Sequence, residues 1–282
     1  MKKIIIPTDF SDNAYHAFAY AASLFKDEPC TFYLMHTFTP SIYQTEYVLH
    51  SPGQIGLGDF YQTDSDERLA DMKERAEAQF KNPEHKIFTH SAFNVLVDEI
   101  LDMVEKEEAD LIIMGTQGAT GAKEIFLGTH TVHVIRKAKC PVIAVPSEFE
   151  YKVPKEILFP TDFEVAYSER HFAALFNIAD LYNSRIEVLH ISTGIELTEK
   201  QKENKAKLET LIGERNTRYH DVPSQEIIEG INQFQKTQEV QMLAMIQNKH
   251  TFLERLFIEP VIKKIGFHVT IPFMVIPDAA NA

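Results

Sequence analysis

The hydrophobic pattern alternates between two periods along the chain. Short apolar runs at residues 4–6, 31–35, 111–114 and 142–145 read as buried strands, and 86–88 reads as a more polar one. Between them, apolar residues recur at helical spacing over 13–25, 66–80, 95–106 and 131–137. The helix over 95–106 is expected to turn Val95, Ile100, Leu101 and Val104 inward. Strands alternating with helices require right-handed crossovers, and therefore a parallel sheet covered by helices on both faces.

The pattern then repeats. IIIPTDFSDNAYHAFAYAASLF at 4–25 matches ILFPTDFEVAYSERHFAALFNIADLY at 157–182, so Pro7-Thr8-Asp9-Phe10 recurs as Pro160-Thr161-Asp162-Phe163. TFYLMHTF recurs as RIEVLHIS, bringing His36 over His190, and AKCPVIAVP recurs as FHVTIPFMVIP, with Pro141 and Pro146 over Pro272 and Pro277. The expected fold is therefore α/β, with two tandem Rossmann-like domains at 1–148 and 153–282, each a five-stranded parallel sheet. The strands at 142–145 and 273–276 would otherwise be bare apolar edges. They are expected to pair with each other across a pseudo-twofold axis, making an internal pseudo-dimer. Only the first copy carries the segment 38–65, which reads as a loop. Packed on the surface it is an excursion; closing over the first crevice it is a lid, with Tyr43, Tyr47, Phe60 and Tyr61 as contacts.

Charge narrows the partners. Lys plus Arg number 28 against 41 Asp plus Glu, a formal charge of −13 that repels nucleic acid and anionic membranes at long range. The opening MKKIIIPTDFS is too short in its apolar run for a secretory signal, and no stretch approaches the roughly 18 apolar residues of a membrane span, so a cytoplasmic location is expected. Cys30 and Cys140 lack metal or redox spacing and read as buried hydrophobes. His130 and His133 share a helix face without a third ligand, so no metal site is expected.

The candidate chemistry lies in MGTQGATGAKEIFLGTHT, residues 114–131, which holds four of the chain's eleven glycines directly after a strand. In open α/β sheets ligands bind beyond the carboxyl ends of the strands at the switch point, which brings this segment beside the PTDFS turn. The phosphate loop of common nucleotide hydrolases is absent, because Gly121 is followed by Ala122, and the dinucleotide fingerprint fails as well. What is present is Gly115, Gly118 and then Gly128-Thr129 at the start of a helix, the kind of backbone against which a large anion lies.

This spacing, with the IIIPTDFS opening and the repeated strand-helix order, resembles the universal stress protein family over essentially all of both halves. The resemblance implies ATP binding where the glycines are kept, and the strand order 3-2-1-4-5. The implied site comprises Pro7, Thr8, Asp9, Thr37, Met114, Gly115, Gly118, Gly128, Thr129, His130 and Thr131. Gly115 and Gly118 would let ribose and phosphate approach the backbone. Gly128 to Thr131 would offer helix N-terminal amides to the phosphates, with donors from the Thr129 and Thr131 hydroxyls. Asp9 would accept from the adenosine end, or else serve with Ser11 at a helix cap, and Thr37 would offer its backbone to adenine.

The second copy breaks this pattern. Ile246 stands for Gly115, Lys249 for Gly118, and Glu259-Pro260 for Gly128-Thr129. One adenine nucleotide in the first half is expected, acting as a stress-response or regulatory signal, with an unidentified protein partner. His36 and His190 read as partly buried, hydrogen-bonded histidines. No catalytic residue is assigned, since no general base or water-positioning residue stands out. A nucleotide-independent scaffold with a relic site, a weak ATP hydrolase, and an accompanying Mg²⁺ stay open.

Overall fold

The computed structural model describes residues 1–39, 57–116, 127–192, 194, 196–223, 227–247 and 270–278. The first half runs β1 (Lys2–Pro7), α1 (Asp12–Leu24), β2 (Cys30–Thr37), α2 (Leu57–Gln79), β3 (His85–Ala92), α3 (Leu96–Glu107), β4 (Leu111–Gly115), α4 (Thr129–Lys137) and β5 (Val142–Val145). The second runs β6 (Glu156–Pro160), α5 (Glu169–Tyr182), β7 (Arg185–Ser192), α6 (Glu199–Ile212), β8 (Thr217–Pro223), α7 (Ile227–Thr237), β9 (Met242–Gln247) and β10 (Phe273–Pro277).

These strands form one ten-stranded sheet in the order β3-β2-β1-β4-β5-β10-β9-β6-β7-β8. Each half is parallel and has the order 3-2-1-4-5. The seam is the antiparallel pair β5–β10, with Phe273 opposite Ala144, Met274 opposite Ile143 and Val275 opposite Val142. The two strands left apolar on both faces in the sequence thus cover each other.

Strand side chains alternate between two apolar layers. Ile4, Ile6, Ile113 and Phe159 meet α1, α2, α5 and α6 on one face, while Ile5, Ile112, Leu158 and Val275 meet α3, α4 and α7 on the other. Across the seam, the Tyr182 hydroxyl donates to the Leu24 carbonyl at 2.5 Å, and His16 Nε2 of α1 donates to the Phe149 carbonyl of the connection between the halves at 2.7 Å.

Two sequence expectations need correction. Helix α2 begins at Leu57, so the end of the segment 38–65 is helix rather than loop. Its inward stripe of Leu69, Met72 and Ala76 is extended one turn upstream by Ser65, which is 1% exposed. A serine hid that turn from a hydrophobicity reading. Residues 40–56, with Tyr43 and Tyr47, lie outside the described residues. In α3, Val95 is the N-cap in extended conformation and is 57% exposed, and the buried residues are Val97, Ile100, Met103 and Val104. Val95 stands outside the helix as its extended N-cap and so off the inward stripe, while Leu101 is half-buried against the same layer.

Candidate functional site

The PTDF turn has a backbone reason to exist twice. Thr8 Oγ1 accepts the Phe10 N–H at 2.9 Å and holds Phe10 at φ 63°, a left-handed conformation that a bulky residue adopts only when tied down. Thr161 Oγ1 does the same for Phe163 at 3.0 Å, with φ 59°. Asp9 Oδ1 accepts the Ser11 N–H at 3.1 Å and its hydroxyl at 2.5 Å, and Ser11 caps α1 by accepting the Ala14 N–H at 3.2 Å. Asp162 repeats the first of these bonds with the Glu164 N–H at 3.1 Å. Pro7 and Thr8 are buried, and the Thr8 N–H donates to the Met35 carbonyl at 2.8 Å. Asp9 is exposed at the tip.

Next to this turn the sheet opens. Pairing of β1 with β4 covers only Ile4–Leu111 and Ile5–Ile112, whereas β4 follows β5 as far as Gly115–Val145 and β1 follows β2 as far as Pro7–Met35. The switch point is therefore a real gap at the strand ends. Asn13, from the first turn of α1, fills its floor: a Cβ on Gly115 would lie 2.5 Å from Asn13 Nδ2. Gly115 is not at positive φ, so this glycine is required for space rather than for backbone freedom.

Both ends of the glycine segment are tied down. The Thr131 hydroxyl donates to the Gly115 carbonyl at 2.9 Å, the Gly128 N–H to the Thr116 carbonyl at 2.5 Å, and the Thr116 N–H to the Val145 carbonyl at 3.0 Å. Two donors expected to face phosphate, the Gly128 amide and the Thr131 hydroxyl, are thus engaged within the chain. Gly128 is the N-cap of α4, no side chain caps the helix among the described residues, and its first turn holds no acidic residue. Thr129 and His130 are exposed there. The buried Thr116 Oγ1 has no hydrogen-bond partner among the described residues. Met114 is buried beneath, Thr37 is half-buried at the end of β2 opposite Ala92, and Gly118 lies outside the described residues. An open helix N-terminus over a gap with an orphaned hydroxyl fits an anionic, oxygen-rich ligand.

Beyond β2, His36 packs on Phe10 with ring centroids 4.5 Å apart, and the Arg68 guanidinium lies 4.1 Å from the Phe10 centroid. His36 Nδ1 is 2.8 Å from Ser65 Oγ, which receives the Ser91 hydroxyl at 2.6 Å. Burial, and then the Arg68 charge, hold the imidazole below its ordinary pKa, against Asp64 and Asp9. His190 packs on Phe163 at 5.1 Å, with Nδ1 3.1 Å from the Thr161 carbonyl oxygen. Asn13, Ser65 and Ser91 escaped the sequence reading because their partners lie on other elements.

Elsewhere, a cavity of about 460 Å³ lies at the junction, between α5, the starts of β4 and β5, and the end of β10. Its lysines are paired, Lys2 with Glu28 at 3.1 Å and Lys139 with Glu105 at 2.8 Å, and Arg170 and His171 line it as well. Cys30 and Cys140 are buried free thiols pushed up by burial to about 11 and about 12, too high for a nucleophile. Among the described residues no group of three metal-ligating side chains occurs, and no helix is long and apolar enough to cross a membrane.

Residues 1–146 match the model of the universal stress protein family. A universal stress protein of Methanocaldococcus jannaschii is 34% identical over 145 residues, 51% of this chain and 81% of the relative. A second from the same organism is 29% identical over 152 residues, 51% of this chain and 94% of the relative. Over the full length, the crystal structure of a universal stress protein from Archaeoglobus fulgidus shares the fold, with a TM-score of 0.66 at 16% identity, covering 99% of this chain and 97% of that one. The matched half carries the PTDF turn and the β4 glycine segment, and the chain belongs to the universal stress protein family.

Proposed function

We propose that residues 1–148 bind one adenine nucleotide, ATP, in the gap where β1 and β4 separate, and that its occupancy is a regulatory signal in a cytoplasmic stress response. The observation that carries this reading is the N-terminus of α4, which has a glycine cap, no capping side chain among the described residues and no first-turn acid. The amides of Thr129, His130 and Thr131 and the positive helix end are then available to phosphate, at about 1.5–3 kcal/mol for each charge-assisted bond. The reading gives the adenosine end to Asp9 and Thr37, with Pro7, Thr8 and Met114 beneath and Gly115 and Gly118 permitting close approach. Residues 153–282 take no nucleotide in this reading, because Ile246 is buried at the end of β9 where the first half has Gly115, and Glu259-Pro260 replace Gly128-Thr129. In this reading the chain is an internal pseudo-dimer of one competent and one silent unit, a view supported by the pairing of β5 with β10.

Mass spectrometry of the small molecules released from the purified chain tests this, followed by equilibrium dialysis against ATP with Mg²⁺ and with a chelator. Close to one adenine nucleotide per chain is expected. Failure to retain or take up any would replace this reading with that of a nucleotide-independent scaffold.

A further inference from the structure

The cavity of about 460 Å³ at the junction has a counterpart in the other half, and that counterpart is filled. Helices α1 and α5 match in register from their N-caps, Ser11 over Ser168, so that His16 falls on Ala173, Tyr20 on Asn177 and Phe25 on Tyr182. The connection that leaves β5 packs on this side of α1. Tyr20 meets the rings of Phe149 and Tyr151 edge-on, with centroids 6.2 and 5.8 Å apart, and His16 Nε2 holds the Phe149 carbonyl at 2.7 Å. The Tyr151 hydroxyl donates to that of Tyr182 at 3.3 Å. The matching residues on the opposite side, Ala173, Asn177 and Phe25, all line the cavity. Pro146 aligns with Pro277, so the sequence has Ala280 and Ala282 where the first half has Phe149 and Tyr151. Alanine has no ring to place there.

Charge is distributed along the cavity. The Tyr182 hydroxyl reaches the Leu24 carbonyl, which sets Phe25 beside the last turns of α5 and makes that end, with Ile178, apolar. The seam register, Val142 opposite Val275, brings Lys139 level with Asp278 at the other end, beside Arg170 and His171 in the first turn of α5. Both acids on the lining are engaged. The Ser168 N–H donates to His171 Nδ1 at 3.3 Å, so the proton of the neutral ring sits on Nε2, 3.4 Å from Asp278 Oδ1. Asp110 Oδ2 accepts the Lys3 N–H at 2.8 Å. Arg170, by contrast, makes no ion pair among the described residues, and its charge lies close enough to His171 to oppose protonation of that ring.

We propose that the junction cavity binds a small aromatic carboxylate, whose ring takes the place that Phe149 and Tyr151 hold in the other half and whose carboxylate accepts from the Arg170 guanidinium. The volume falls within the roughly 300–1,000 Å³ of small-molecule sites, which pair apolar walls with a few orienting polar groups. Arg170 and Ile178 are eight residues apart on one helix, about 12 Å, which suits a ring joined to its acid by a short chain. A guanidinium fork matches a carboxylate. Leu111 lines this cavity at the start of β4 while Gly115 borders the nucleotide gap at its end, so the two sites are separate and the proposal stands apart from the nucleotide reading.

Titration of the full chain with 4-phenylbutyrate, 4-phenylbutan-1-ol and butyrate, followed by NMR, tests the proposal. One 4-phenylbutyrate per chain is expected, at roughly millimolar concentration for so small a ligand, with nuclear Overhauser contacts from its ring to the methyls of Leu111 and Ile178. The alcohol keeps the ring and butyrate keeps the acid, and each should bind at least about threefold more weakly. Arg170→Gln, a change at an exposed position, should weaken the acid by about three- to tenfold and leave the alcohol within about twofold. Ala173→Phe, which sets a ring in the cavity, should weaken both by about tenfold or more; if it does not fold, Arg170→Gln decides alone. Gly128→Glu should leave 4-phenylbutyrate binding unchanged. A parent that does not bind 4-phenylbutyrate, an alcohol that binds as well as the acid, an Arg170→Gln protein that binds the acid as the parent does, or a loss in Gly128→Glu overturns the proposal.

Discussion

Gly115→Ala is the sharpest perturbation of the gap between β1 and β4. An alanine Cβ there would lie 2.5 Å from Asn13 Nδ2, 2.9 Å from Cγ and 3.1 Å from Oδ1. Contacts this short must be relieved by a shift of the Asn13 amide, the group that all three atoms belong to. Overpacking of this kind costs about 1–3 kcal/mol. Gly115 is not in the left-handed region, so the alanine carries no backbone penalty and recovers about 0.4–1 kcal/mol of unfolded-state entropy. The net expectation is a loss of about 0.5–2 kcal/mol. In an Asn13→Ala background the obstruction is gone, and Gly115→Ala should be neutral or slightly stabilising. The double-mutant cycle should therefore return a coupling of about 1–3 kcal/mol. Urea denaturation of the four proteins measures it, and thermal midpoints should move by about 2–4 °C per kcal/mol. If Gly115→Ala costs as much with Asn13 removed as with it present, the steric reasoning is refuted. If the single variant costs nothing, Asn13 yields freely and Gly115 is there for another reason.

Two further predictions concern the rest of the molecule. The seam strand β5 and residues Phe273 to Ile276 of β10 are buried and paired on both sides, so their amides should exchange with solvent as slowly as those of β1 and β6, with the edge strands β3 and β8 far faster; rapid exchange at the seam would mean that the halves separate without unfolding. His171, 3% exposed, has its pKa lowered chiefly by burial, against the pull of Asp278. Its unfolded form binds the proton more readily, so its contribution is present above about pH 6.5 and is lost as pH falls below it. The urea midpoint of the parent relative to His171→Asn should decline from pH 7.5 to pH 5.5, and a constant difference would show that the ring does not titrate differently on unfolding.

Much of this architecture was legible in the sequence because both signals involved are local. The run Ile4 to Ile6 and its repeat at Ile157 to Phe159 carry the strand period, and the repeated PTDF marks the same turn, now accounted for by the Thr8 and Thr161 side-chain bonds. The seam was legible from an exclusion, since two apolar strands without partners need each other. What the sequence hid lies in contacts between distant positions. Ser65 reads as a polar loop residue until His36, 29 positions away, and Ser91, 26 positions away, come to meet it. The need for glycine at 115 reads as ligand space, yet the nearest atoms to its missing side chain belong to Asn13. Gly128 and Thr131 read together as a helix start, yet nothing local shows that one amide and one hydroxyl tie the ends of the segment rather than face outward.

The central claim, one nucleotide held at the N-terminus of α4, is tested most directly by ATP titration of the parent beside Gly128→Glu. A carboxylate at the N-cap would take the first-turn amides for itself and set a negative charge against the phosphates. The account predicts a stoichiometry close to one for the parent and binding weakened by on the order of a hundredfold in the variant, the loss of about two charge-assisted bonds. Two sites in the parent, or a Gly128→Glu protein that binds as the parent does, would contradict it.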